Sequence, residues 1–184
     1  MVELEGCKMK LGLKRGTVKL SESQYNQWRK EFKKEKAILL DKIGDNVSEI
    51  HHIGSTSIPG IMAKPIIDIM AVVDKLDDYK RLIKPLEEIG YHFMPDRVFE
   101  IRDRVFFPKG PESNRTHHLS LVTKGSEQYK NNLAFRDYMR THKKARDEYQ
   151  KLKQELAEKY TDDRESYTSS KEMFIEDILR EVRK

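Results

Sequence analysis

Cysteine is almost absent from this sequence. Cys7 stands alone among 184 residues, which excludes an internal disulfide framework and a multi-cysteine zinc site. It reads as an incidental thiol near a chain end, where ends fray. Long apolar runs are missing too. No window holds about 18 consecutive apolar residues, and the opening MVELEGCKMK lacks an apolar signal core, so neither a spanning nor a secretory segment is expected. A cytoplasmic location follows as the default. Internal repeats and low-complexity stretches are likewise absent. What the chain does contain is charge: 36% of its residues are charged and 37% hydrophobic, against about 25% charged in an ordinary soluble domain. The length suits one domain over residues 1–184, read as a sheet core over 1–123 with a helical annex over 124–184.

The net charge of +5 raises the question of nucleic acid, and its position argues against it. Residues 1–36 carry ten Lys/Arg and five Asp/Glu, and the remaining 148 carry 26 of each. The excess belongs to an N-terminal segment and not to a groove. A nucleic-acid module would have to rely on those first residues alone. Between Lys124 and Lys184 there are 15 positive and 13 negative charges, a mixture that reads mainly as solvated helix faces with i, i+4 pairing.

Residues 1–20 show no helical period. Ser21 with Gln24 forms a capping-box pattern, and Trp28, Phe32, Leu39 and Ile43 predict a helix ending at Gly44. Strands are predicted at 47–53 and 66–73, the second nearly continuous in apolar residues, as for a central strand covered on both faces. Asp77 and Asp78 predict the start of a helix that reaches Ile89. Further strands are predicted at 91–94, 98–107 and 116–122. From Ser126 the pattern turns helical, with Ala145, Tyr149, Leu152, Leu156 and Tyr160 on one stripe and a capped last helix opening at Ser169 and Glu172.

The informative stretch is HHIGSTSIPGIMAKPIIDIM, residues 51–70. A strand runs into a Gly-Ser turn whose free amides and hydroxyls suit phosphate oxygens, and Lys64 adds a cation. Asp68 then stands in an apolar strand, where a carboxylate needs a partner or a metal. The plainer reading is that Gly54 and Gly60 shape a turn while Asp68 pairs with Lys64 or an arginine.

The same run resembles the GrpB-like family, a branch of the nucleotidyltransferase-fold superfamily. The matching residues are RGTV at 15–18, HIGSTSIPG at 52–60, AKPIIDI at 63–69, THHL at 116–119, FRDYMR at 135–140 and SSKEMFI at 169–175. A related segment occurs fused behind dephospho-coenzyme A kinases, which suggests assistance to nucleotide or coenzyme chemistry. The resemblance implies an α+β fold, a mixed sheet packed by helices with a helical C-terminal segment. It also implies Mg²⁺, a nucleotide and a small-molecule acceptor as partners. Carried over, Gly54, Ser55 and Thr56 become phosphate contacts with Lys64 beside them, and Asp68 the first metal ligand. A catalytically silent nucleotide or coenzyme sensor on the same fold is the alternative.

One departure stands out. The superfamily places two carboxylates two residues apart, on one face of the strand, and here the second position is Met70. A thioether does not replace a hard oxygen on Mg²⁺. Glu100 is the candidate substitute, as a second catalytic and metal-binding carboxylate on the polar face shared with Arg102 and Arg104. Those arginines fit a phosphorylated ligand or, equally, a solvated charge ladder. The histidines form two adjacent pairs, 51–52 and 117–118, and neighbours on a strand face opposite ways. His118, or else His52, is taken as a catalytic or ligand candidate, with metal ligation, general-base work and plain hydrogen bonding all open and core hydrogen bonding favoured. Arg136 and Asp137 are expected to tie a helix to the sheet or cleft, and Lys171 to point at the same cleft.

Overall fold

The computed structural model describes residues 10–95 and 103–184. Its centre is a mixed four-stranded sheet in the order β1-β2-β4-β3, with β1 at Glu49–Ile53, β2 at Ile67–Val73, β3 at Val105–Lys109 and β4 at His117–Thr123. β2 and β4 run parallel, and β1 and β3 flank them antiparallel. Both faces of the central strands are covered, which is why β2 reads as a continuous apolar run. Asp68 is its one position that is not fully buried.

Helices α1 (Tyr25–Ile43) and α2 (Tyr79–Glu88) cover one face. Trp28, Leu39 and Ile43 of α1 and Leu82 and Leu86 of α2 join Ile67, Ile69, Leu119 and Leu121 in the main core. Ser21 does not cap α1 as its spacing to Gln24 predicts. Its backbone exchanges two hydrogen bonds with Ala63, at 2.8 and 3.1 Å, and stays extended, so the helix begins at Tyr25 without a side-chain cap.

Of the strand expected over 98–107, residues 98–102 lie outside the described residues, and β3 begins at Val105. Asp103 has a φ of +63° and sits in a turn just before it. A strand continued through this point would carry the Asp103 carboxylate to the buried side with Val105 and Phe107. Burial there is costly, and aspartate tolerates the left-handed conformation, so the chain turns instead. Glu100 and Arg102 lie outside the described residues. Residues 91–94 form a single bridge, Tyr91 with Lys109, and no full strand.

The C-terminal part is helical as expected, in four pieces: α3 (Glu127–Thr141), α4 (Lys143–Lys159), α5 (Arg164–Ser169) and α6 (Glu172–Val182). Ser126 caps α3 by accepting from the Tyr129 N–H. Ser169 ends α5 and does not open α6, which starts after Lys171 without a side-chain cap. Helix α3 covers the second face of the sheet, Tyr129 and Leu133 packing on Ile53, Met70, Val72 and Val122. A further apolar cluster joins Ile58 and Ile61, just beyond β1, to Met139, Ala145 and Tyr149. The annex is therefore packed directly on the loop that carries the Gly-Ser motif. No helix among the described residues is long and apolar enough to cross a membrane.

Candidate functional site

After β1 the chain turns through Gly54 into a single 3-10 turn, Ser55–Ser57. Gly54 has a φ of +67°, and a Cβ there would lie 2.4 Å from Oδ2 of Asp68, so loop backbone and carboxylate are in direct apposition. The loop is held from outside. His52 stacks on Phe32 with ring centroids 4.7 Å apart and hydrogen-bonds the Thr56 hydroxyl at 3.0 Å. Burial pushes its imidazole down to about 4, which leaves it neutral and structural. From α3, Arg136 donates to the His52 carbonyl at 3.2 Å, and Arg140 donates twice to the Ser57 carbonyl at 3.0 Å. Asp137 grips Arg136 at 2.8 and 3.0 Å. The FRDYMR run is a clamp on the loop.

Asp68 and His118 are register partners on β2 and β4. Nδ1 of His118 lies 3.1 Å from Oδ1 of Asp68. Burial opposes charge on Asp68, but the hydrogen bond from His118, with the nearby Lys64 and Arg164, outweighs it and holds the carboxyl below its ordinary range. Burial pushes His118 down more than Asp68 pulls it up, so at neutral pH the pair is carboxylate and neutral imidazole. An ionised carboxylate only accepts, which puts the imidazole proton on Nδ1 and leaves the Nε2 lone pair unprotonated. His117 turns to the opposite face, where Nε2 lies 3.9 Å from Glu35, itself paired with Lys109 at 2.7 Å. His51 pairs with Glu49 at 2.7 Å.

Asp68 opens on a cleft of about 400 Å³ between the sheet and the annex. Its floor is Gly54, Ser55, Thr56 and Asp68, with His118 beside them. Lys64 enters from the segment before β2, Lys153 from α4, Arg164 from α5 and Lys171 from the α5–α6 junction. Gln128, Asn131 and Asn132 of α3 also line it, with Phe135, Tyr149, Tyr167, Ile175 and Leu179 as its apolar part. Lys64 is aimed by its neighbours: Gly12 donates to the Pro65 carbonyl at 2.7 Å, and Ser21 brackets Ala63. Lys153 is buried and donates to the Met62 carbonyl, while Gln150 accepts from the Met62 N–H at 3.0 Å. Lys171 and Lys64 stand over the Tyr167 ring, 4.0 and 5.1 Å from its centroid. Burial, then the neighbouring cations Arg164 and Lys171, lower Lys64 to about 7. Burial and Lys171 lower Lys153 to about 7. Lys171, lowered chiefly by burial, falls to about 8 although Asp68 pulls the other way.

Six of the expected site residues thus line one cleft: Gly54, Ser55, Thr56, Lys64, Asp68 and His118. Lys171 joins them, as anticipated. The Thr56 hydroxyl is engaged by His52, and burial raises Tyr149 to about 12 although it hydrogen-bonds Ser55. Arg104 lies over the Phe106 ring at 5.2 Å and is not among the residues that line the cleft. Lys153, Arg164 and the α3 amides had no sequence signal beyond a lysine beside an apolar stripe. The donors among the described residues do not by themselves make a two-metal clamp. Among the described residues no three His, Cys, Asp or Glu side chains converge, and Met70 is fully buried in the apolar layer under α3.

The GrpB protein family matches residues 17–181. The chain belongs to the GrpB family. The glutamate-rich protein GrpB of Alkalihalophilus pseudofirmus is 38% identical over 176 residues, 94% of this chain and 99% of that one. The crystal structure of GrpB from Enterococcus faecalis agrees with a TM-score of 0.80 at 33% identity, covering 89% of this chain and 96% of that one. The Cid1 poly(U) polymerase with Mg and 3'-dATP bound gives a TM-score of 0.55 at 13% identity, covering 83% of this chain and 49% of that one. At that identity the likeness is one of fold, and this GrpB chain shares the nucleotidyltransferase-type sheet with its helices.

Proposed function

We propose that this GrpB-family protein binds the phosphates of a nucleoside triphosphate in the cleft between sheet and annex. The observation that carries the reading is the arrangement of charge: Lys64, Lys153, Arg164 and Lys171 line one cleft with Asp68, beside a Gly-Ser loop. Half-buried cations bind phosphate oxygens strongly because the local dielectric is low, and an arginine fork matches phosphate geometry. Gln128, Asn131 and Asn132 offer donors and acceptors to the sugar or base. The fold likeness to Cid1, whose structure holds Mg and 3'-dATP, supports the same direction. Titration calorimetry with ATP, GTP, CTP and UTP tests it: at least one binds the wild type, and heat from none of them contradicts the reading.

Nucleotidyl transfer to a small-molecule acceptor is the second reading, favoured by an ionised Asp68 that faces the cleft. It requires a second carboxylate for Mg²⁺, for which Glu100 is the candidate, and an acceptor hydroxyl that attacks the α-phosphorus as pyrophosphate departs. Mass spectrometry of wild type and Asp68→Asn with nucleotide and a metabolite mixture separates the two readings. A nucleotidylated product made only by the wild type supports transfer; nucleotide bound and returned unchanged supports binding alone.

A further inference from the structure

We infer that the nucleotide held in this cleft carries a pyrimidine base, selected by the amide side chains of α3. The inference rests on the nucleotide reading above and goes beyond it in naming the base.

Gln128, Asn131 and Asn132 are half-buried and line the cleft from α3. An amide side chain has a donor end and an acceptor end, and the end it shows a ligand is fixed by what engages the other. Nδ2 of Asn132 donates to the Gln128 backbone carbonyl at 2.7 Å and to Oε1 of Gln128 at 3.4 Å. Carbonyl oxygens only accept, so this orientation is forced, both amide protons are engaged, and Oδ1 is the end left for a ligand. The same contact occupies Oε1 of Gln128 and leaves Nε2 as its available donor. Asn131 is set from behind by Arg183, the residue that ends α6, which donates from Nη2 to Oδ1 at 2.8 Å. A guanidinium only donates, so Oδ1 must face it and Nδ2 is left over.

The helix therefore shows a ligand two donors, from Gln128 and Asn131, and one acceptor, from Asn132. Uracil, with two carbonyl oxygens flanking an N–H, complements that set. Cytosine does too, with a carbonyl oxygen, a ring nitrogen and an amino group. Guanine presents one carbonyl oxygen and two N–H donors, which sets donor against donor. Adenine pairs one ring nitrogen and one amino group and leaves a donor unmatched. A site built to hydrogen-bond its ligand rejects one that leaves its polar groups unpaired. The neighbouring apolar surface favours a base over a ribose at this place. Phe135 lies one turn along α3 from Asn131, and Ile175 and Leu179 approach from α6, giving a surface that a flat ring covers.

The test is calorimetric titration of the full chain with UTP, CTP, ATP and GTP in one Mg²⁺ buffer, repeated with Arg183→Ala and Arg183→Lys. UTP and CTP should bind about tenfold more tightly than ATP and GTP, the scale of one unmatched hydrogen bond. Arg183 acts as a positioning residue, because it holds the Asn131 amide without lining the cleft. Arg183→Ala frees that amide to rotate, so the pyrimidine preference should fall to about threefold or less while ATP affinity stays within about twofold. Arg183→Lys, which still donates, should keep most of the preference. ATP or GTP bound as tightly as the pyrimidines would overturn this inference and leave the triphosphate reading standing. A preference that survives Arg183→Ala undiminished would overturn it as well, since Asn131 would then not set it. No binding by any of the four would remove both readings together.

Discussion

Replacing Gly54 by alanine tests whether the Gly-Ser loop and Asp68 form one packed unit. Two costs are expected. With φ +67° and ψ −175° Gly54 occupies a backbone region that is essentially reserved for glycine, which costs another residue about 1–3 kcal/mol. The new Cβ would stand 2.4 Å from Oδ2 and 3.0 Å from Cβ and Cγ of Asp68, so the carboxylate must move. Overpacking of this kind costs about 1–3 kcal/mol, for a total of about 2–6 kcal/mol. Gly60 provides the control, because its φ is +79° and an added Cβ there meets nothing within 4 Å. Gly60→Ala should lose only the backbone part, about 1–2 kcal/mol. Urea denaturation of both variants, compared with the wild type at a common m value, measures the difference. A displaced Asp68 also loosens its bond with His118, which raises that imidazole, so the His118 titration followed by NMR should move to lower pH in Gly54→Ala. Equal destabilisation of the two variants within about 0.5 kcal/mol, with the His118 titration unchanged, would refute the reasoning.

Lys153→Met should keep or raise stability by about 1 kcal/mol, because a buried charge is replaced by an apolar chain of similar volume. The same change should weaken triphosphate binding about tenfold, and denaturation and calorimetry on one preparation check both halves. The lysines predict opposite pH slopes. Lys64 and Lys153 titrate at about 7 in the folded chain against an ordinary 10.5, so between those values the unfolded chain binds more protons. Their contribution to the stability of the ligand-free protein therefore rises as pH is raised above about 7, whereas triphosphate affinity falls as the lysines lose charge. Parallel slopes in the two measurements would contradict the assignment. Met70→Asp, which would restore the paired carboxylates on paper, should instead cost about 3 kcal/mol or more by burying a carboxylate under α3, and a thermal melt at the wild-type temperature would show that the position is wetter than described.

Much of the fold was legible because its signals are local. The apolar run Ile67–Val73 announced a central strand, and strand parity separated His118 from His117, though which of the two meets Asp68 came only from the pairing of β2 with β4. The Gly-Ser loop was readable for the same reason, since Gly54 is required both by its φ and by the carboxylate against it. One error came from a contact far apart in the chain: Ser21 has the pattern of a cap but is held extended by Ala63. The turn at Asp103 just before β3 is local instead, an aspartate in the left-handed conformation where alternation would bury its carboxylate. The cationic wall was the least legible feature. Lys153 and Arg164 look like ordinary members of charged helices until α4 and α5 fold over the loop, and only then do they share one cleft with Lys64 and Lys171.

A crystal structure of the protein soaked with a non-hydrolysable nucleoside triphosphate tests the central claim most directly. The account predicts triphosphate density between the Gly54–Thr56 loop and the side chains of Lys64, Lys153, Arg164 and Lys171, with the nucleoside toward Asn131 and Asn132 on α3. A cleft that stays free of nucleotide at saturating concentration, or a triphosphate bound elsewhere on the chain, would contradict it.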